Sequence, residues 1–220
     1  MVNQQATSVI QSTYPSLNED WVVRLLEMGQ FKELKRDETI SQHNNGMIQS
    51  VFIIEGLLLG ENKEGMQLLK HGNVYGLRET LLSVDLSNQN GVYTDDMYLD
   101  GKLTCISQSA QCLIIDGNLI LREMENNPEL REGWLYVLNS SFEKQLNDGL
   151  YNYQLDTLDR LRRVLKQLKH FADEHFAVSI HHIQELTGIS RSSIYRCLRT
   201  LEKEEQLVFC SKGHICFCRH

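Results

Sequence analysis

The residues best suited to chemistry lie between 178 and 218. Arg191, Arg196 and Arg199 follow one another at spacings of five and three, with Ser190, Ser192, Ser193 and Tyr195 among them. Lys212 follows in a Ser-Lys-Gly turn. Arginines so spaced on one helix can reach the phosphates or the guanine edges of duplex DNA, where a guanidinium pairs with O6 and N7. Serine hydroxyls and a turn lysine suit phosphate oxygens. A merely solvated basic helix is the plainer reading, and the surrounding pattern speaks against it. Ser179 is placed to cap a helix over 180–187, whose apolar positions are Ile180, Ile183 and Leu186. Then comes Thr187-Gly188-Ile189-Ser190. The glycine allows a left-handed turn, Ile189 plugs the gap between helices, and Ser190 caps the next one. Helix 191–204 turns Ile194, Cys197, Leu198 and Leu201 to one face. The runs 207–210 and 214–217 flank Ser211-Lys212-Gly213 as a hairpin. Together these predict a winged helix-turn-helix, whose second helix enters the major groove.

The overall charge argues against a DNA partner, because 220 residues carry a formal net charge of −7. The charge is unevenly spread. Residues 156–220 hold 11 Lys/Arg against 8 Asp/Glu, and residues 1–155 hold 11 against 21. The whole motif lies in the positive part. Apolar residues make up 41% and charged residues 23%, ordinary for a soluble domain. No apolar run approaches the roughly 18 residues of a membrane span. The start MVNQQATSVI lacks the basic-then-apolar order of a signal peptide. A cytoplasmic protein with no membrane partner is expected, with its six cysteines as free thiols.

The elements that must carry the motif change grammar twice. Residues 17–28 predict a short helix with Trp21, Leu25 and Met28 at helical spacing and Gly29 as its C-cap. From 31 to 115 the runs FKELKR, ETISQ, SVFIIEGLLLG, GMQLLKHG, KLTCISQ and QCLIID alternate with turn signals, which predicts a small β-roll or barrel. The polar, acidic stretch 83–97 reads as a loop insertion. A short helix over 118–126 ends at Asn126-Asn127-Pro128. A long amphipathic helix then covers 129–153, with Trp134, Leu138, Phe142, Leu146 and Leu150 every four residues and Leu135 beside them. A further helix over 155–172 carries Leu155, Leu158, Leu161, Leu165 and Leu168 on one face and Arg160, Arg162, Arg163, Lys166 and Lys169 elsewhere. The fold class is α+β. The domains are 1–128 as the roll, 129–154 as a helix with Trp134, Leu135, Leu138, Phe142 and Leu146 across a dimer seam, and 155–220 as the winged helix-turn-helix.

This order resembles the Crp/Fnr family, the cyclic-AMP receptor protein and its relatives, over essentially the whole chain. The strongest likeness is Gly188-Ile189-Ser190-Arg191-Ser192-Ser193-Ile194-Tyr195-Arg196 against the family pattern G-x-S-R-E-T-V-x-R. Arg191 and Arg196 match its two arginines. Ser192 stands where the family has a glutamate, so the target sequence does not carry over. From Phe52 through the wing the chain is similar to the IprA/YaiV-type branch, whose sensor domain is degenerate. The resemblance implies a homodimeric transcription regulator binding double-stranded DNA, with RNA polymerase as a further partner. Nucleotide-binding members hold the ribose with a Gly-Glu pair and neutralise the cyclic phosphate with an arginine further on. Gly76-Leu77-Arg78-Glu79 falls at that place, with leucine for glutamate. Asp100, near Lys102, stands where the arginine belongs. The resemblance therefore predicts a degenerate pocket, no cyclic AMP and no cofactor, with any small-molecule effector left open.

Other chemistries fare worse. An iron–sulfur sensor needs cysteines near the N-terminus, and the first is Cys105. A haem would have to rely on His43 and His71. Cys210, His214, Cys216, Cys218 and His220 crowd the C-terminal end without a standard zinc spacing, so control by thiol oxidation or metal is the alternative to a plain regulator. Cys105 and Cys112 read as core. A cupin-like enzyme would want a His-x-His ligand set in the roll, which is absent, and no nucleophile or phosphate-loop motif occurs. The expectation is a regulator, not an enzyme, with no metal.

Overall fold

The computed structural model describes residues 2–44, 47–62, 65–81, 101–170, 177–203, 208–210 and 214–216. The acidic insertion 83–97, Asp100, Lys212 and Cys218 lie outside the described residues. The chain divides into two compact units, residues 1–64 with 68–144 and residues 65–67 with 145–220.

The first unit opens with two helices. α1 (Val2–Thr13) is an addition to the sequence reading. It buries Ala6, Ile10 and then Tyr14 just beyond its end, one contact every four residues. α2 (Glu19–Met28) starts at Asn18, whose side chain accepts from Trp21 N. Its end differs from expectation. Gly29 has φ −100, extended rather than left-handed, because the chain runs straight into the next strand. Glycine is required there for space, since a Cβ would overlap the Leu113 side chain.

The β region follows the predicted runs closely. β1 (Gln30–Lys35), β4 (Met47–Glu55) and β9 (Ser109–Asp116) form one antiparallel sheet in the order β1-β9-β4, extended by β3 (His43–Asn44), with β7 (Val74–Tyr75) also paired to β4. The second sheet runs β2 (Thr39–Ser41), β8 (Lys102–Cys105), β5 (Leu57–Asn62) and β6 (Gly65–Lys70). The single run SVFIIEGLLLG thus feeds both sheets, β4 in one and β5 in the other. Gly56, at φ +89, makes the handover, and a Cβ there would stand 2.7 Å from Ala110 Cα. Only glycine adopts that φ without strain.

The run Val51-Phe52-Ile53-Ile54 is continuously apolar because β4 is covered on both faces. Val51 and Ile53 join Leu58, Leu103, Cys105 and Cys112 inside the roll. Phe52 and Ile54 face the helices, packing with Trp21, Leu113, Ile115 and Trp134. A short helix, α3, is described over residues 77–81. α4 (Gly117–Asn126) begins at the Asp116 cap. Asn127 caps α5 (Pro128–Gln154), its Oδ1 accepting from Glu129 N at 3.0 Å and Leu130 N at 3.2 Å. Proline at the first helical position suits that start, since the missing N–H has no partner to lose.

The dimer-seam expectation is corrected at Trp134. Its side chain is fully buried inside its own unit, edge-on to Trp21 and Phe52, so it has no surface to offer a second chain. Leu138 packs partly against the same core. Leu135 (43% exposed) and Phe142 (52%) face solvent. Residues spaced every four drift about 40° round a helix at each step, so Trp134 and Phe142 do not share a face. The side chain of Leu146 is outside the described set.

The second unit packs α6 (Thr157–His170), α7 (Ile180–Thr187) and α8 (Arg191–Lys203) against one another. Leu161, Leu165 and Leu168 of α6 meet Ile183 of α7 and Ile194, Leu198 and Leu201 of α8 as buried residues. A three-stranded sheet, β10 (Ala177–Ser179), β12 (His214–Cys216), β11 (Val208–Cys210), completes it. The hairpin was expected and β10 was not. Among the described residues no helix is long and apolar enough to cross a membrane.

Candidate nucleic-acid interface

The turn between α7 and α8 is built as its sequence demands. Ser179 caps α7, accepting from His182 N at 3.1 Å. Gly188 ends it at φ +65, its N–H donating to Gln184 O. Thr187 stitches the turn. Its hydroxyl donates to Ile183 O at 2.6 Å and accepts from Ile189 N at 3.3 Å. Ile189 is buried beneath. Arg160 of α6 donates to Thr187 O and to Leu155 O, both at 3.3 Å. That guanidinium holds the turn from behind, a role its place in a basic helix did not announce.

Ser190 starts α8. Its Oγ accepts from Ser193 N at 3.3 Å and lies 3.0 Å from Ser193 Oγ and 3.2 Å from Ser192 Oγ. The three serines form a local cap, so their first role is to start the helix. Ile194, Leu198 and Leu201 set the buried face. At 100° per residue, the opposite face carries Ser192, Arg196, Arg199 and Lys203, all exposed. Arg191, also exposed, lies about 100° round the helix from Ser192, its guanidinium 5.9 Å from the centre of the Tyr195 ring, within cation–π range. Among the described residues Arg191, Arg196 and Arg199 enter no ion pair. Lys203 is the addition to the sequence-predicted set. Its signal was available, four residues beyond Arg199 and seven beyond Arg196.

Cys197 sits between the two faces, partly buried. Burial pushes its thiol pKa up, with the Arg196 charge pulling against it. In the wing sheet the register sets Cys210 opposite His214, and Cys216 opposite Val208 and Ala177. Among the described residues no three His, Cys, Asp or Glu side chains gather as a metal site requires.

The predicted pocket residues fall in the first unit and come together only in part. Gly76, at φ +83, opens α3. Leu77 is buried in the helix-facing core. Arg78 is exposed and Glu79 half-buried. Thr80 is fully buried, donating to Gly76 O at 2.9 Å and lying 3.1 Å from Ser50 Oγ. Lys102 is exposed on β8, opposite Ser41 and Glu61.

Residues 160–209 match the IclR helix-turn-helix domain family. No curated protein matches the chain. Three solved structures resemble it over nearly its full length. The c-di-GMP-responsive global regulator CLP of Xanthomonas campestris has 16% identity and a TM-score of 0.59, covering 92% of this chain and all of that one. A structure described as a cyclic nucleotide binding protein of Ruegeria pomeroyi has 15% identity and a TM-score of 0.58, over 98% and 93% of the two chains. One described as a Crp/Fnr-family transcriptional regulator of Eubacterium rectale has 12% identity and a TM-score of 0.58, over 94% and 93%. These neighbours do not single out the IprA/YaiV-type branch. The chain therefore has the Crp/Fnr fold, a cyclic-nucleotide-binding-like β domain followed by a helix-turn-helix domain.

Proposed function

We propose that the chain is a sequence-specific, DNA-binding transcription regulator, acting as a homodimer without cyclic AMP and working with RNA polymerase rather than catalysing a reaction. One observation carries this reading. The exposed face of α8 presents Arg196, Arg199 and Lys203 in a row opposite its buried face, behind a helix start capped by Ser190 and a turn tied by Thr187. Such a face suits the major groove, with Arg196 reading a guanine edge and the other cations seated on phosphates. Leu135 and Phe142, the exposed large apolar residues of α5 among the described residues, supply the dimer seam. Two recognition helices would then meet half-sites about one helical turn apart.

The test is genome-wide footprinting with the purified chain, with and without cyclic AMP and under reducing and oxidising conditions. Protected pseudo-palindromes whose affinity falls steeply with salt support the reading. Equal affinity for all sequences sinks it. Protection that depends on the redox state would favour control through Cys210, Cys216 and Cys218.

A further inference from the structure

Arg191 is the first residue of α8, and a cation in that place works against the helix. The first turn carries the positive end of the helix dipole. No acidic side chain lies in the first turn of α8 to offset it. Ser190, Ser192 and Ser193 turn their hydroxyls to one another in the cap. Among the described residues Arg191 enters no ion pair. What holds its guanidinium is the Tyr195 ring, whose centre lies 5.9 Å away.

The spacing explains this contact. Residues four apart on a helix lie about 40° apart round its axis, one turn above the other. Helical side chains lean toward the N-terminus, so each covers the turn before its own Cα. Tyr195 has an arginine four residues to either side, Arg191 and Arg199, and this lean selects Arg191. The pair therefore sits on the first turn of α8, the end of a recognition helix that enters the major groove.

The choice of an aromatic partner matters for binding. Arg191 is exposed and Tyr195 half-buried. A free arginine samples many rotamers, and fixing them on association costs affinity. A contact already made in the free chain lowers that cost. A carboxylate would make the contact by taking up guanidinium donors and cancelling the charge. A ring attracts the cation through its quadrupole instead, so the N–H donors of Arg191 are left for a guanine edge.

We infer that Tyr195 is a positioning residue for DNA recognition: its ring holds the Arg191 guanidinium at the start of α8, so that Arg191 meets one base pair of the operator already oriented. This rests on the DNA-binding reading above and adds a residue that sets sequence preference by acting through Arg191.

The test uses the full chain and its footprinted operator, with further operators altered at one base pair at a time. Affinity and Tm are measured for the parent, Tyr195→Leu, Tyr195→Phe, Arg191→Ala and the double variant of Arg191→Ala with Tyr195→Leu. Leucine forms helix at least as well as tyrosine, so Tyr195→Leu should keep the parent Tm. It should weaken operator binding about two- to fivefold, the reach of an exposed cation–π contact. It should also relax preference at the base pair where Arg191→Ala relaxes it. Tyr195→Phe should restore both, and Tyr195→Leu should add nothing once residue 191 is alanine. An unchanged preference in Tyr195→Leu overturns the inference. So does an effect that persists in the Arg191→Ala background, or a loss spread evenly over all base pairs with a lowered Tm. A phenylalanine variant that behaves like the leucine one assigns the effect to the hydroxyl and overturns it equally. In all of these the parent still discriminates among operators. A parent that binds every duplex alike overturns the DNA-binding reading itself and takes this inference with it.

Discussion

Trp21 and Trp134 meet edge to face, ring centres 5.2 Å apart at 65°. The indole N–H of Trp21 donates to Leu130 O at 3.3 Å, and Gly133 leaves room for the ring, since a Cβ there would overlap it. This pair fixes the first turns of α5 on the helical layer of the β domain. Trp134→Ala should cost about 3–5 kcal/mol, read by urea denaturation. A loss below about 1 kcal/mol would mean that Trp134 is not a core residue.

The exposed apolar residues of α5 should behave oppositely. Leu135→Glu with Phe142→Glu should leave urea stability of the β domain nearly unchanged and convert a dimer to a monomer in sedimentation. A dimer that survives both changes places the seam elsewhere.

On α8 the cations should separate by role. Arg196→Ala should weaken operator binding by about 1–3 kcal/mol and relax the preference at one base pair. Lys203→Ala should weaken all sequences alike and reduce the salt slope by about one. Competition binding at several salt concentrations tells the two apart. Equal behaviour of both variants would remove the base-reading role from Arg196.

Gly188 permits a clean measurement of turn geometry. Its φ is +65 and a Cβ would meet nothing within 4 Å. Gly188→Ala should therefore cost about 1–2 kcal/mol through backbone strain alone, and Gly188→Asn less. Melting of the C-terminal unit measures both, and an alanine variant as stable as the parent would mean the turn can take another conformation.

Alkaline stability should track two thiols. Burial pushes Cys112 up to about 12, the neighbouring Cys105 adding to it, and burial raises Cys105 as well. A group whose pKa is raised on folding ionises first in the unfolded chain. Its contribution is present in full below the ordinary thiol pKa near 9 and is lost as pH rises toward 12. The slope is at most about 1.4 kcal/mol per pH unit for each thiol. Cys112→Ala should flatten the fall in urea stability between pH 9 and pH 11. An unchanged slope would show that the thiol ionises freely in the folded chain.

The winged motif was legible because each of its parts is a local signal: a cap, a turn glycine, a three-residue apolar stripe. The roll was legible as strands for the same reason, but its division into two sheets was not, because one φ at Gly56 separates β4 from β5. α1 escaped notice because VNQQATSVIQST offers few apolar residues, and its place depends on contacts far along the chain. Tyr14, for example, donates to Gly72 O at 3.0 Å and lies 3.0 Å from Ser141 Oγ, and burial raises its pKa to about 12. Trp134 was assigned to the wrong partner because a four-residue spacing looks like a straight stripe when the helix in fact rotates beneath it.

Ser179 belongs to two structures at once. It pairs with His214 across the wing sheet and its hydroxyl caps the first turn of α7. β10 and α7 therefore follow one another with no residue between them. A displacement of β10 along β12 would therefore act directly on the first turn of α7, with no linker to absorb it.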